Sequence, residues 1–179
     1  MVADAQWIQQ ALDEFEAPLV RYARSLLGDV ELAREVVQET FLRLCRQKKS
    51  KVADHLAQWL FTVCRNRALE VRRKENRMQP LKEARAETLT SPIAGPDRRT
   101  EAREALTHLD RAMAELSNNE QEVIRLKFQH GLSYKEISAV TRLSVSNVGF
   151  ILHTGLKKVR SELAAVGFGA PVAAVRRIK

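Results

Sequence analysis

The sequence predicts an all-α protein of two small helical domains joined by a flexible linker, and three observations carry that prediction. Leu, Ala, Glu, Arg and Lys dominate, while Gly (7), Pro (5) and aromatic residues (6%) are scarce, a composition of helices rather than sheets. Apolar residues recur at i, i+3, i+4 and i+7 over several long segments, the spacing of a buried helical stripe. Between Asn76 and about Thr100 this periodicity dissolves in a polar stretch punctuated by Pro80, Pro92, Gly95 and Pro96, the signature of a linker. With 45% apolar residues in 179, the chain can build one or two modest cores, which excludes a disordered chain.

In chain order, a first helix is expected to about Glu16, with Pro18 opening a second through Leu27. Proline is tolerated in a first helical turn, where its missing N–H would have had no partner. Gly28 suits a helix stop and Asp29 a cap for the next helix. That helix shows a stripe of Ala33, Val36, Val37, Thr40, Phe41, Leu44 and Cys45, and its other face carries Glu35, Gln38, Glu39 and Leu42. The basic stretch QKKSKVADH, residues 47–55, reads as a loop. A long helix from Leu56 to about Glu75 follows, with Leu56, Leu60, Val63, Cys64 and Val71 as its stripe and Trp59 and Phe61 as core residues.

Beyond the linker, Ala105, Leu109, Ala112, Met113 and Leu116 fall in helical phase. Ser117-Asn-Asn-Glu120 and Ser133-Tyr-Lys-Glu136 are capping boxes, in which the Ser hydroxyl takes a first-turn N–H and the Glu reaches back to the cap N–H. The second box directly follows Gly131, a good helix terminator. After Ala164 the chain reads as an irregular tail.

The charge balance narrows the function. Lys+Arg 30 against Asp+Glu 22 gives a net charge of +8 and a pI near 9.9, which suits a polyanionic partner such as nucleic acid. The N-terminus lacks the basic and apolar regions of a signal peptide, and no apolar run approaches the ~20 residues that cross a bilayer. A cytoplasmic protein with no membrane insertion is therefore expected. Cys45 and Cys64 form no CxxC and are expected to be reduced core thiols. The four His residues (55, 108, 130 and 153) are scattered, with no nucleophile–base or metal-ligand spacing. No catalytic residue, metal or cofactor is expected, and no enzyme.

The segment Ser133 to Arg160 is the most informative. A short helix, Tyr134 to Thr141, is followed by a tight break at Arg142-Leu143-Ser144, after which Ser144 caps a longer helix through about Leu163. Ile137, Val140, Leu143, Val148, Leu152 and Leu156 face a shared core, and the small Ser138 falls where the two helices would cross. This is the helix-turn-helix pattern, whose second helix enters the major groove and reads bases with its N-terminal residues. An ordinary αα-hairpin shares the capped helices, but Lys127, Lys135, Arg142, Lys157, Lys158 and Arg160 supply cationic flanks suited to DNA. A second basic cluster lies in the first domain. Arg65, Asn66, Arg67, Arg72, Arg73, Lys74 and Arg77 lie on or just after the long helix, with Lys48, Lys49 and Lys51 just before it. Arg65 and Arg72, and likewise Asn66 and Arg73, are seven residues apart and share a face. Each phosphate such a cluster neutralises adds about one unit of salt dependence; a merely solvated basic face is the alternative.

YARSLLGD, AREVVQETFLRLCR and QWLFTVCRNRALEVRRK, in that order, resemble region 2 of the extracytoplasmic-function (ECF) sigma factors. LSNNEQEVIRLKFQHGLSYKEISAVTRLSVSNV resembles their region 4. The resemblance spans about residues 10 to 165 and implies region 2 over residues 1–76, a linker over 77–101, region 4 over 102–165 and a basic tail over 166–179. It implies a protein that binds core RNA polymerase through the β′ clamp helices and the β flap, directs it to promoter DNA and assists opening of the duplex. The matching residues are Glu35, Gln38, Glu39 and Leu42 for the polymerase-binding face. Lys48, Lys49, Lys51, Arg65, Asn66, Arg67, Arg72 and Arg73 match the minus-10 surface. Lys135, Arg142, Ser144, Ser146, Asn147, Phe150, His153 and Lys157 match the minus-35 reader. Sigma factors of this kind are commonly held by an anti-sigma factor, so that partner class is implied as well. Against the usual basic recognition helix, this chain carries Gly149, Phe150 and Ile151, and two glycines (149 and 155) fall inside the helix. Each costs about 1 kcal/mol relative to alanine, so close backbone approach is expected there. Arg142 holds a turn position that often belongs to glycine. The competing reading is a helix-turn-helix transcription regulator that does not engage polymerase, with the first domain as a dimerisation or sensor module.

Overall fold

The structure, a computed structural model, describes residues 2–78 and 106–167. Among them the secondary structure is helical, with no strand. The elements are α1 (Val2–Leu27), α2 (Val30–Cys45), α3 (Lys49–Val52) with a 3-10 turn (Ala53–His55), α4 (Leu56–Met78), α5 (106–114), α6 (Asn118–Phe128), α7 (Tyr134–Thr141) and α8 (Val145–Ala165). Most of the expected linker and tail lies outside the described residues; residues 77 and 78 are the last turn of α4.

The described residues gather in two compact units. The first holds α1 to α4 together with Arg125–Val145, and the second holds 106–124 with 146–167. Within the described residues the division passes inside α6 and at the start of α8.

In the first unit α1, α2 and α4 pack on one another. Trp7, Ala11, Leu19, Tyr22 and Ala23 come from α1, the stripe Ala33, Val36, Val37, Phe41 and Leu44 from α2, and Leu60, Phe61, Cys64 and Ala68 from α4, all buried. Burying a Leu, Val or Phe side chain contributes about 1.5–3 kcal/mol. This stripe explains the first correction to the sequence reading: α1 is one continuous helix with Pro18 inside it, not two. Proline in a helix interior costs about 3 kcal/mol and leaves the i−4 carbonyl without its donor. That residue is Glu14, on the exposed side of α1, while the buried stripe runs through both halves of the helix.

Gly28, at φ 76, ends α1. The Asp29 side chain then caps α2, accepting from the N–H groups of Glu31 (2.7 Å) and Leu32 (3.0 Å). Thr40, buried, returns its hydroxyl to the Val36 carbonyl at 2.8 Å. Cys45 departs from expectation. As the last residue of α2 it is exposed, at the edge of the α1–α2 groove lined by Ile8, Leu12, Val37 and Phe41, whereas Cys64 is buried as predicted. The stretch 47–55 is not a loop but α3 and the 3-10 turn, which a buried Val52 pins to the core.

The first unit is completed by Arg125–Val145. α7 packs against α4, and His130 inserts its ring beside Phe61 (centroids 4.7 Å apart) and Tyr22 (5.9 Å, edge-on). Neither His130 ring nitrogen is accessible or hydrogen-bonded among the described residues. Burial, with Arg21 adding to it, pushes the imidazole down to about 4, so it is neutral at pH 7. In the second unit Ala112, Leu116, Val123, Ile124, Val148, Leu152 and Val159 are buried. Leu109, in helical phase with the buried Ala112 and Leu116, is itself exposed. Gly155 is the close-approach position the sequence pointed to: a Cβ there would lie 2.9 Å from Ile124 Cδ1.

Candidate nucleic-acid and polymerase interface

Both capping boxes form. The Ser117 N–H and hydroxyl donate to Glu120 Oε2 at 2.9 and 2.8 Å, and Lys158 Nζ reaches Glu120 Oε1 at 2.8 Å. The hydrogen bond from Lys158, then those from Ser117, bring the Glu120 carboxyl down to about 2. Ser133 accepts from the Glu136 N–H, and the Glu136 carboxylate accepts from the Ser133 N–H at 2.7 Å. These bonds fix where α6 and α7 begin. Arg142 then takes the left-handed conformation, φ 63 and ψ 24, which breaks the helix, and α8 starts after Ser144. The Ser138 hydroxyl donates to the Leu143 carbonyl at 2.6 Å and so ties the turn to α7.

On α8, Val148, Leu152, Gly155 and Val159 are buried, and the opposite stripe of Ser146, Phe150, His153, Lys157 and Arg160 is exposed. Asn147 is exposed beside it, as are Lys135, Arg142 and Ser144 on the preceding segment. All eight expected minus-35 residues thus reach solvent. Phe150 is 66% exposed, an unusual position for a phenylalanine.

On α2 the expected polymerase face is present but not uniform. Glu35 and Gln38 are exposed and Leu42 is 54% exposed, whereas Glu39 is engaged. It accepts from Arg43 Nη2 at 2.7 Å and lies 2.5 Å from Arg67 Nε, while Arg67 Nη1 also reaches Glu70 at 3.2 Å. Partial burial pushes the Glu39 carboxyl up, but Arg43 and Arg67 outweigh it and hold it below the usual range. A residue from each of two expected sites is therefore joined in one ion-pair network. The remaining residues of the expected minus-10 surface divide: Lys48, Lys49, Lys51, Arg72 and Arg73 are exposed, and Arg65 and Asn66 are half-buried on α4. No cluster of metal-ligating side chains occurs among the described residues, and none of their helices is long and apolar enough to cross a membrane.

Residues 12–78 match the family described as sigma-70 region 2, and residues 106–159 match sigma-70 region 4. The ECF RNA polymerase sigma factor SigL of Mycobacterium tuberculosis is 31% identical over 167 residues, covering 92% of this chain and 93% of its own length. The chain belongs to the ECF RNA polymerase sigma factors. It is a transcription initiation factor that directs RNA polymerase to promoters. SigM of Bacillus subtilis is 28% identical over 142 residues, covering 79% of this sigma factor and 85% of SigM. The sigma factor RpoE of Bartonella quintana, solved in complex with the anti-sigma factor NepR, has the same fold, with a TM-score of 0.67 at 21% identity over 87% of this chain and 96% of that one. Coverage by sigma factors of both regions leaves the regulator that avoids polymerase without support.

Sequence reasoning missed His130. Its signal was weak, one histidine before a glycine in a turn, and nothing local announces that the ring packs against the paired rings of Tyr22 and Phe61.

Proposed function

We propose that residues 1–76 bind core RNA polymerase and open the minus-10 element, that 77–101 connect, and that 102–165 read the minus-35 element, with 166–179 a basic tail. In this reading Glu35, Gln38 and Leu42 dock on the β′ clamp helices, and Glu39 is held in place by Arg43 and Arg67. Lys48, Lys49, Lys51, Arg65, Asn66, Arg72 and Arg73 hold the strands around the minus-10 element, where extruding a base costs a few kcal/mol that a pocket and phosphate contacts must offset. Arg67 acts there as a brace more than as a phosphate ligand. On the second surface Lys135, Arg142, Ser144, Ser146, Asn147, Phe150, His153 and Lys157 meet the minus-35 duplex, and region 4 meets the β flap. The chain contributes no reaction chemistry; polymerase supplies it. It works in the cytoplasm with the polymerase, and an anti-sigma factor of the kind that holds the Bartonella relative is a fitting regulatory partner.

The observation that carries the polymerase assignment is Leu42, a large apolar side chain 54% exposed on α2 while the opposite face of that helix is fully buried. Leu42 lines one groove between α1 and α2 with Ile8, Leu12, Val37 and Phe41, and a contiguous exposed apolar patch rimmed by polar residues marks a protein-binding surface. The test is holoenzyme assembly with purified core polymerase, followed by in vitro transcription on genomic templates. Leu42→Asp combined with Gln38→Ala should weaken core binding at least tenfold and abolish transcription. Unaltered assembly by that variant would overturn the placement.

A further inference from the structure

The exposed stripe of α8 divides in two along its length. Its N-terminal part carries Ser146, Phe150 and His153, and no cation occurs in the helix before Lys157. Its C-terminal part carries Lys157 and Arg160, both exposed, and the only acidic residue of the helix is Glu162. Residues four and seven apart share a face, so the order along one edge is neutral and aromatic first, cationic afterwards. Within the neutral part Phe150 stands clear: its neighbour Gly149 has no side chain, and the Thr154 hydroxyl turns inward to the Phe150 carbonyl at 2.9 Å.

A helix that enters the major groove contacts base edges with its N-terminal residues and leaves its later turns to the backbone. Cations at Lys157 and Arg160 suit phosphates. The first turns offer no bidentate Arg or Lys for guanine, the commonest specific contact. What the groove presents to an apolar side chain is the 5-methyl group of thymine.

We propose that Phe150 is a specificity-determining residue that recognises a thymine methyl group in the upstream promoter element. This rests on the reading of α8 as the promoter reader. It replaces the hydrogen-bonded readout of a basic recognition helix by apolar contact, and directs the protein to an element with thymine opposite the second turn of α8.

The test uses holoenzyme assembled from core polymerase and the full chain, on a promoter found by transcription of genomic fragments. Each thymine of the upstream element is replaced in turn by deoxyuridine, which removes only the methyl group. At one or two positions promoter binding should weaken about fourfold, the worth of one buried methyl. With Phe150→Ala the thymine and deoxyuridine promoters should bind alike, and Phe150→Leu should keep part of the difference. The proposal is overturned if no deoxyuridine substitution affects the unaltered protein, or if the difference survives in Phe150→Ala. It is equally overturned if Phe150→Ala impairs holoenzyme assembly and not promoter binding, which would make the side chain a protein contact. Lys157→Ala separates the two levels. If it weakens promoter binding while methyl removal does nothing, α8 is the reader and only the methyl contact fails. If Lys157→Ala and Phe150→Ala both bind every promoter unchanged, the reading of α8 itself fails. Phe150 is exposed, so its replacement leaves the core intact, and an unchanged unfolding transition verifies this.

Discussion

Replacing His130 by leucine should make the protein more stable at neutral pH and remove part of its sensitivity to mild acid. The ring is enclosed against Phe61 and Tyr22 with both nitrogens unpaired. An enclosed polar group without a partner costs about 1–3 kcal/mol, whereas the packing of the imidazole against the two aromatic rings is worth about 0.5–1.5 kcal/mol. The net gain expected at pH 7.5 is about 1 kcal/mol. The imidazole is pushed down to about 4 in the fold, from an ordinary value of 6.5, by burial and then by Arg21. As pH falls from about 6.5 toward 4, the unfolded chain takes up a proton that the folded chain refuses, so stability declines through that window and levels off below it. One such proton is worth up to about 1.4 kcal/mol per pH unit, and roughly half that for a residue partly reached by solvent. Urea unfolding followed by fluorescence of Trp7 and Trp59 at pH 7.5, 6.0 and 5.0 should therefore show the native protein losing about 1 kcal/mol more than His130→Leu. Parallel losses in the two proteins, or an NMR titration placing His130 at or above 6.5, would refute the reasoning.

Three other outcomes follow from the structure. Glu120→Ala removes the capping partner of Ser117 and the acceptor of Lys158, so thermal unfolding should show a loss of about 1–3 kcal/mol; in the native protein the same contribution fades as pH falls from about 4.5 to 2, where the carboxylate takes its proton. The salt dependence of holoenzyme–promoter binding should fall by about one unit for each of Arg72→Ala and Arg73→Ala, and by much less for Arg67→Ala, whose guanidinium is committed to Glu39 and Glu70. Iodoacetamide at pH 8 should label Cys45 and spare Cys64 until the chain unfolds, because Cys64 is enclosed and burial pushes its thiol up to about 12 against a weaker opposing hydrogen bond with Thr40; mass spectrometry of the labelled peptides reads this directly.

What was legible in the sequence is what local chemistry decides. Asp29, Ser117 and Ser133 mark helix starts because a cap acts within three residues of itself, and the stripe on α2 is legible because its period is that of the helix. Gly155 announced close approach, although only packing reveals that Ile124 is the neighbour. Pro18 misled because its local preference is a helix start, while a stripe running from Trp7 to Ala23 holds the helix straight through it. The stretch 47–55 misled because a single buried Val52 outweighs seven polar neighbours in folding a short segment. Cys45 belongs to the apolar phase of α2 yet falls at its last residue, at the open edge of the α1–α2 groove. The pairing of Glu39 with Arg67 joins residues 28 apart in sequence, and His130 meets residues about 70 and 110 positions away. No periodicity encodes either contact.

Arg142 carries one more consequence. A non-glycine residue in the left-handed region costs about 1 kcal/mol, and the guanidinium there is exposed. A glycine would make the same break more cheaply. The turn is thus a point where robustness and electrostatic reach compete, and any effort to make this protein withstand heat would be drawn to it first. Taking that increment would surrender an exposed cation three residues before α8 begins, so, on the proposed role of this surface, the hotter-running protein would hold promoters less firmly.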